Sequence, residues 1–361
     1  MKRIILKITS MLIAAASLIS LAACSSKKGE PVMTLGGSVV TDRMYEYWMC
    51  SYKASLMSQY SDAKDTADFW DMKLGDKTAE DFFYELTYDY IESNLVCMYL
   101  FDKYSLEIDK EDRETAKSII DDLEKEYADG SRNDFNRLLA NYGVNADLLL
   151  DIYLDELKST LVYNHVFENS LLTVGDEEKE DYLNKSYVRV RQIYINNKYD
   201  YERSSYDSDG NFIMADLSPE AKAEKDAKAA SARAELDAGA DFDEVYEKYS
   251  EDTAYPNGYY LSLSTENLPQ ELINNAFSLD VGESAEFESI YGTHMIMRLE
   301  MDKAPYDNDE NADFFGDFKN EVYESVFTDF VTSFYDEITV DSEAISKYTI
   351  RDSLPNYSFQ Y

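Results

Sequence analysis

Tyr187-Val188-Arg189-Val190-Arg191-Gln192-Ile193-Tyr194-Ile195 is where the chain changes its periodicity. In an extended strand successive side chains face opposite ways, so Val188, Val190, Gln192 and Tyr194 share one face and Arg189, Arg191, Ile193 and Ile195 the other. Upstream the apolar residues recur at helical spacing, over Ala79 to Tyr104, Lys110 to Tyr127, Arg132 to Tyr142, Ala146 to Asn169 and Asp176 to Asn184. Before these, Val32 to Val40 reads as a strand with a break at Gly36-Gly37. Thr41 then suits a helix N-cap, with Met44, Tyr47, Trp48 and Ser51 on one face. Residues 32–185 are therefore expected to form a mostly helical domain, and 186–302 a second domain of α+β class.

Downstream of that strand, Asn196 to Leu217 is rich in Tyr, Asp and Ser around Asp209-Gly210, a dipeptide that favours a tight hairpin turn. Asp207, Asp209 and Gly210 share some features of a calcium loop, but Ser205 holds its first ligand position, Asp216 its last, and no helix precedes it. A solvated turn is the reading preferred, and no metal is assigned. Helices follow over Pro219 to Ala238, Phe242 to Tyr249 and near Pro269 to Phe277, with strands near Glu283 to Glu288 and Thr293 to Glu300.

At the amino terminus Lys2, Arg3 and Lys7 precede an apolar run from Met11 to Leu21, too short to span a bilayer as a mature helix. The run ends in Leu21-Ala22-Ala23-Cys24-Ser25-Ser26, which resembles a lipobox, the signal at which a cysteine receives a diacylglycerol and becomes the first residue. Residues 1–23 are expected to be a lipoprotein signal peptide, Cys24 the lipidation site, and 24–31 a tether to the lipid bilayer. An ordinary signal peptide with an incidental cysteine, or an uncleaved anchor helix, are the alternatives; either still exports the chain.

Charge narrows the partners. The chain carries 72 Asp+Glu against 34 Lys+Arg, a net −38, and the leader removes only basic residues. Nucleic acid is an unsuitable partner for such a surface, and an anionic membrane would repel it, so membrane contact should run through the lipid. Cys50 and Cys97 lie in helical patterns beside large apolar residues, which suits two buried thiols; a disulfide stays open, since an exported chain meets oxidising conditions. Thirty-one tyrosines and seventeen phenylalanines suit either half-buried helix faces or an open aromatic cradle for extended chains.

Three segments beyond the opening strand carry a family resemblance. Gly239-Ala240-Asp241-Phe242 with Lys248-Tyr249-Ser250-Glu251-Asp252, Ala276-Phe277-Ser278-Leu279 with Val281-Gly282-Glu283, and Tyr291-Gly292-Thr293-His294 are similar to three conserved stretches of the parvulin-type peptidyl-prolyl isomerases. Asp176-Glu177-Glu178 through Tyr182, leading into Val188-Arg189-Val190-Arg191, is similar to the connector of PrsA-like lipoproteins and SurA-like chaperones, as is the strand before Thr41. The resemblance spans nearly the whole mature chain. It implies an α+β fold in which a parvulin-like domain, a small antiparallel sheet flanked by helices, follows a helical chaperone-like domain. Residues 303–361, with a helix over Phe314 to Glu337 and a strand-like Ile338 to Val340, would then return to the first domain.

The function so implied is a membrane-anchored extracytoplasmic foldase, on the surface of a Gram-positive cell, whose partners are unfolded exported proteins and their proline-containing segments. The alternatives are a catalytically inactive holdase and a client-binding or adhesin-like surface lipoprotein. Rotation about an Xaa-Pro bond has a barrier near ~20 kcal/mol and takes tens of seconds unaided, so a catalyst is useful and needs an apolar pocket with few polar groups. Neither nucleophile, metal nor cofactor is required.

Carried over by position, the proline pocket falls on Leu261, Leu268, Leu272 and Phe277, residues that core packing alone would also bury. The polar part falls on His294, Asp252 and Gln192. Gln192 stands where the family usually has histidine; it cannot titrate but can donate and accept hydrogen bonds. His294 is open to two roles, holder of a hydrogen-bond network or direct participant. Gly258-Tyr259-Tyr260-Leu261-Ser262 stands in place of a glycine-rich turn, where two tyrosines would narrow the pocket or roof it.

Overall fold

The computed structural model describes residues 28–59, 64–206 and 212–359. Cys24, its leader and the Asp207 to Gly210 turn lie outside the described residues. The chain divides into two compact units, one drawn from Met1–Thr173 and Phe327–Tyr361, the other Val174–Val326. The class is α+β, helices with small antiparallel sheets.

The first unit opens with a hairpin, β1 (Pro31–Leu35) and β2 (Ser38–Thr41), turned at Gly36-Gly37. Helix α1 (Asp42–Gln59) follows, started by Thr41, whose Oγ1 accepts from the Met44 amide at 3.4 Å. After α2 (Ala67–Asp71) and the short hairpin β3 (Lys73–Leu74) and β4 (Lys77–Thr78), three long helices, α3 (Ala79–Lys103), α4 (Lys110–Ala128) and α6 (Ala146–Glu168), are joined through α5 (Arg132–Leu139). Short polar residues set each start: Thr78, Asp109, Ser131 and Asn145 each accept from an amide of the first turn. The core of this unit is aromatic, with Trp48, Trp70, Tyr45, Tyr47 and Tyr153 almost fully enclosed. Cys50 and Cys97 are buried and are not joined in a disulfide. Lys53, also enclosed, is matched by Asp65 at 2.8 Å and the Arg351 carbonyl at 2.6 Å.

The second unit begins with α7 (Asp176–Ser186) and continues into β5 (Tyr187–Ile195), the strand on which the periodicity changes. A hairpin, β6 (Tyr199–Tyr206) and β7 (Phe212–Asp216), leads to α8 (Pro219–Asp237) and α9 (Phe242–Tyr249). Then come β8 (Tyr259–Ser262), α10 (Gln270–Ser278), β9 (Ser284–Glu288) and β10 (Thr293–Leu299). The sheet has the order β8-β5-β10-β9, antiparallel throughout.

Each face of that sheet carries its own helices. Ile193, Ile195 and Met295 meet Ala229 and Ala232 of α8 and Phe242, Val245 and Tyr246 of α9. Val188, Val190, Ile296 and Leu261 meet Leu272 and Ala276 of α10 on the other side. The two basic side chains of β5 fold down beside the first face, Arg191 onto the Tyr246 ring and Asp243, Arg189 onto Asp302.

Two elements differ from the sequence reading. Gly258 to Ser262 is not a turn: Gly258, at φ +99°, passes so close to the Val190 carbonyl that a Cβ would lie 2.7 Å from it, and the next four residues pair with β5 as an edge strand. The helix expected over Phe314 to Glu337 is shorter. Residues Asp309–Phe314 and Tyr335–Glu337 are 3-10 turns flanking α11 (Phe318–Thr332), after which β11 (Thr339–Val340) pairs with β1 and α12 (Ser342–Ile345) follows. Among the described residues no helix is long and apolar enough to cross a membrane.

Candidate active site

The antiparallel register places one row of side chains on the α10 face of the sheet. His294 lies directly opposite Tyr194 and Phe287, and Ile296 opposite Gln192, so Gln192 and His294 are diagonal neighbours. Gly292 turns the β9–β10 hairpin against the Ile195 carbonyl, where no Cβ would fit, and this brings Ser289 under the His294 ring.

These side chains form one directed line of hydrogen bonds. Gln192 Nε2 donates to Asp252 Oδ2 at 2.9 Å, so the amide oxygen faces the histidine. Placed the other way round, that amide would set its oxygen against a carboxylate. Gln192 Oε1 lies 2.9 Å from His294 Nδ1, which must therefore carry the proton, leaving Nε2 to accept from the Ser289 hydroxyl at 2.7 Å. Ser289 Oγ in turn accepts the Tyr291 amide at 3.0 Å, and the Tyr259 hydroxyl donates to Asp252 Oδ2. Ser250 accepts the Tyr194 amide and the Asp252 amide, tying the Asp252 loop to β5.

His294 is 3% exposed, stacked on Phe287 with ring centroids 4.8 Å apart and planes 2° from parallel, with Tyr194 at 5.0 Å. Burial lowers its pKa to about 4, outweighing the carboxylates of Glu288, Glu271 and Asp252. With its pKa held that low the imidazole is neutral near pH 7, the state in which Nε2 can accept from Ser289. Tyr259 is pushed well above the usual phenol range by burial and by the neighbouring Asp252 carboxylate.

The residues expected to hold a proline ring share this face but not one condition. Leu261 and Leu272 are 0% exposed and belong to the solid core between sheet and α10. Leu268 and Phe277 are only partly buried around that core. Phe314 also reaches it, its ring 4.6 Å from Tyr255 and 5.9 Å from Tyr259, while the Tyr255 hydroxyl donates to Asp313 at 2.9 Å. Ser289 and Phe287 were not singled out from the sequence. The available signal was the hairpin, since five residues across a tight turn bring Ser289 and His294 side by side.

The family of the PPIC-type PPIase domain matches residues 182–301. This region is a PPIC-type PPIase domain. Among solved structures the chain is similar to PrsA from Bacillus subtilis, at 18% identity over 79% of this chain and 92% of that one, TM-score 0.24. It is similar to the foldase protein PrsA from Streptococcus pneumoniae at 16% identity over 80% and 96%, TM-score 0.24. It is also similar to a SurA-like chaperone of Campylobacter jejuni at 9% identity over 87% and 99%, TM-score 0.24. No curated protein matches the chain. Within the PPIase domain, Gln192, Asp252 and His294 come from β5, the loop after α9, and β10, and the line of hydrogen bonds joins all three.

Proposed function

We propose that the chain assists the folding of exported proteins, its PPIase domain binding Xaa-Pro segments and speeding their cis/trans exchange, and that lipid on Cys24 holds it to the outer side of a membrane. The reading is carried by one observation, a PPIC-type PPIase domain whose His294, Gln192 and Asp252 form a single neutral-histidine network on the face that also bears Leu268 and Phe277.

Rotation about an imide moves no proton and makes no covalent bond. What the twisted state needs is release from the water that stabilises the planar, more dipolar imide, together with a fixed orientation of the flanking peptide. The apolar edge formed by Leu268 and Phe277 supplies the first. The line from Tyr259 through Asp252, Gln192 and His294 to Ser289 supplies the second, because each member is hydrogen-bonded to the next. In this reading His294 is a positioning residue and Gln192 replaces a titrating partner without loss of connectivity.

Exchange spectroscopy on an Ala-Pro peptide with the full chain tests this. Acceleration at substoichiometric protein, reduced at least tenfold by Leu268→Ala and by His294→Ala, is the expected result; no acceleration at stoichiometric protein refutes catalysis. A second reading, client holding without turnover, is favoured by the complete burial of Leu261 and Leu272 and by Phe314 lying on Tyr255 and Tyr259. Suppression of aggregation of an unfolded client without any prolyl exchange would select it.

A further inference from the structure

Helix α1 carries Trp48, Ser51, Tyr52 and Ser55 at i, i+3, i+4 and i+7, one continuous face. Large rings alternate there with hydroxymethyl groups, and the space the serines leave is an open cavity of about 210 Å³, lined as well by Tyr90 of α3 and Glu156 of α6. Glu156 Oε1 accepts the Trp48 indole N–H at 2.8 Å and the Tyr90 hydroxyl at 3.1 Å. Its Oε2 has no hydrogen-bond partner among the described residues, and no lysine or arginine pairs with it there. The adjacent Asp155 is closed by Lys158 at 2.8 Å.

Glu156 is half-buried, so its second oxygen stays within reach of water and offers an entering cation a charge partner that no described lysine or arginine takes up. Burial raises the Glu156 pKa, with the Trp48 and Tyr90 hydrogen bonds pulling the other way. Tyr52 and Tyr90, both half-buried, stand 5.6 Å apart with ring planes 44° from parallel, a pair of electron-rich surfaces lining the same cavity as Glu156. We propose that this cavity binds an alkylammonium group, the side chain of a lysine in an extended polypeptide, with Glu156 Oε2 as counter-ion and the Tyr52 and Tyr90 rings as walls.

Three features select that ligand. The volume is below the roughly 300–1,000 Å³ of sites for drug-sized molecules, so one side chain fills it. A single open carboxylate oxygen suits the point charge of an ammonium, whereas a guanidinium fork is matched by two. The net charge of −38 draws cationic segments toward the chain. The polypeptide source rests on the client-binding reading above; the ammonium site does not.

The test titrates n-butylammonium chloride into the full chain, read by calorimetry and by fluorescence of Trp48, one of two tryptophans. Acetylated, amidated Gly-Lys-Gly, Gly-Arg-Gly and Gly-norleucine-Gly form the second series. The expected results are saturable binding of butylammonium and of the lysine peptide, at least tenfold weaker in Glu156→Gln. Binding should be severalfold weaker for the arginine peptide and absent for norleucine. Glu156→Gln keeps an acceptor for Trp48 and Tyr90, and an unchanged melting curve verifies its fold. No saturable response to butylammonium, or an equal one in Glu156→Gln, overturns the site. Butylammonium binding without lysine-peptide binding overturns the polypeptide source. Neither result depends on prolyl exchange, so failure here and failure of the isomerase reading are separable.

Discussion

The polar groups at His294, which is buried, and at Glu156, which is half-buried, are built on opposite plans. Around His294 every nitrogen and oxygen of the line has a partner, and the ring is held neutral between Phe287 and Tyr194. Around Glu156, which lines a cavity, one oxygen holds two donors and the other has no hydrogen-bond partner among the described residues. A network whose members are bonded to one another spends most of its hydrogen-bonding capacity on geometry, while a half-open one retains a charge that a ligand can satisfy. The contrast separates a group that positions from a group that binds.

Cutting the closed line should have the largest effect. Gln192→Leu strands the His294 N–H and removes a donor from Asp252, and should cost the sheet about 4 kcal/mol, whereas Glu156→Gln, which keeps both bonds to Oε1, should cost under about 1 kcal/mol. Hydrogen exchange of the β5, β10 and α6 amides measures both, and equal losses would erase the distinction.

Acid should act on the two sites with opposite sign. His294 has a folded pKa near 4 against about 6.5 unfolded, so the unfolded chain binds the extra proton. Its contribution, on the order of 3 kcal/mol, is present above pH 6.5 and is lost as pH falls toward 4. Subtracting a His294→Gln stability profile from that of the unsubstituted chain exposes this slope, and its absence would mean that the ring is protonated in place. Next in size, Tyr259→Phe removes one donor to Asp252 and should cost about 1–2 kcal/mol in denaturant midpoint without changing the pH slope.

The smallest effect belongs to Glu156. Its folded pKa is raised, so its contribution is present below the unfolded carboxyl pKa and falls as pH rises through the folded one; Glu156→Gln should flatten that slope. A slope of the same sign as that of His294 would refute the contrast.

Helix starts were legible through apolar periodicity, and the structure caps them with short polar residues. The expected starts at Ala79, Lys110, Arg132, Ala146 and Phe242 stand where the structure begins those helices, behind Thr78, Asp109, Ser131, Asn145 and Asp241. The strand at Tyr187 was legible through its alternation. Strand β8 was not, since Gly258-Tyr259-Tyr260 reads as turn material and becomes a strand only because an open edge of β5 is there to pair with it. A lysine is usually exposed, and it is Asp65, the Arg351 carbonyl and the Trp70 ring, 5.2 Å from its Nζ, that allow Lys53 to be enclosed.

The sequence alone determined the acidic charge, the periodicities, the helix caps and the residue types on which PPIase chemistry would draw. Tertiary structure decided which of them meet. Pairing β10 beside β5 puts Gln192 next to His294 although 102 positions separate them. Packing α1, α3 and α6 together leaves Glu156 with one open oxygen. Periodicity is local and follows from backbone geometry, but hydrogen-bond completion depends on groups that only the closed fold makes neighbours.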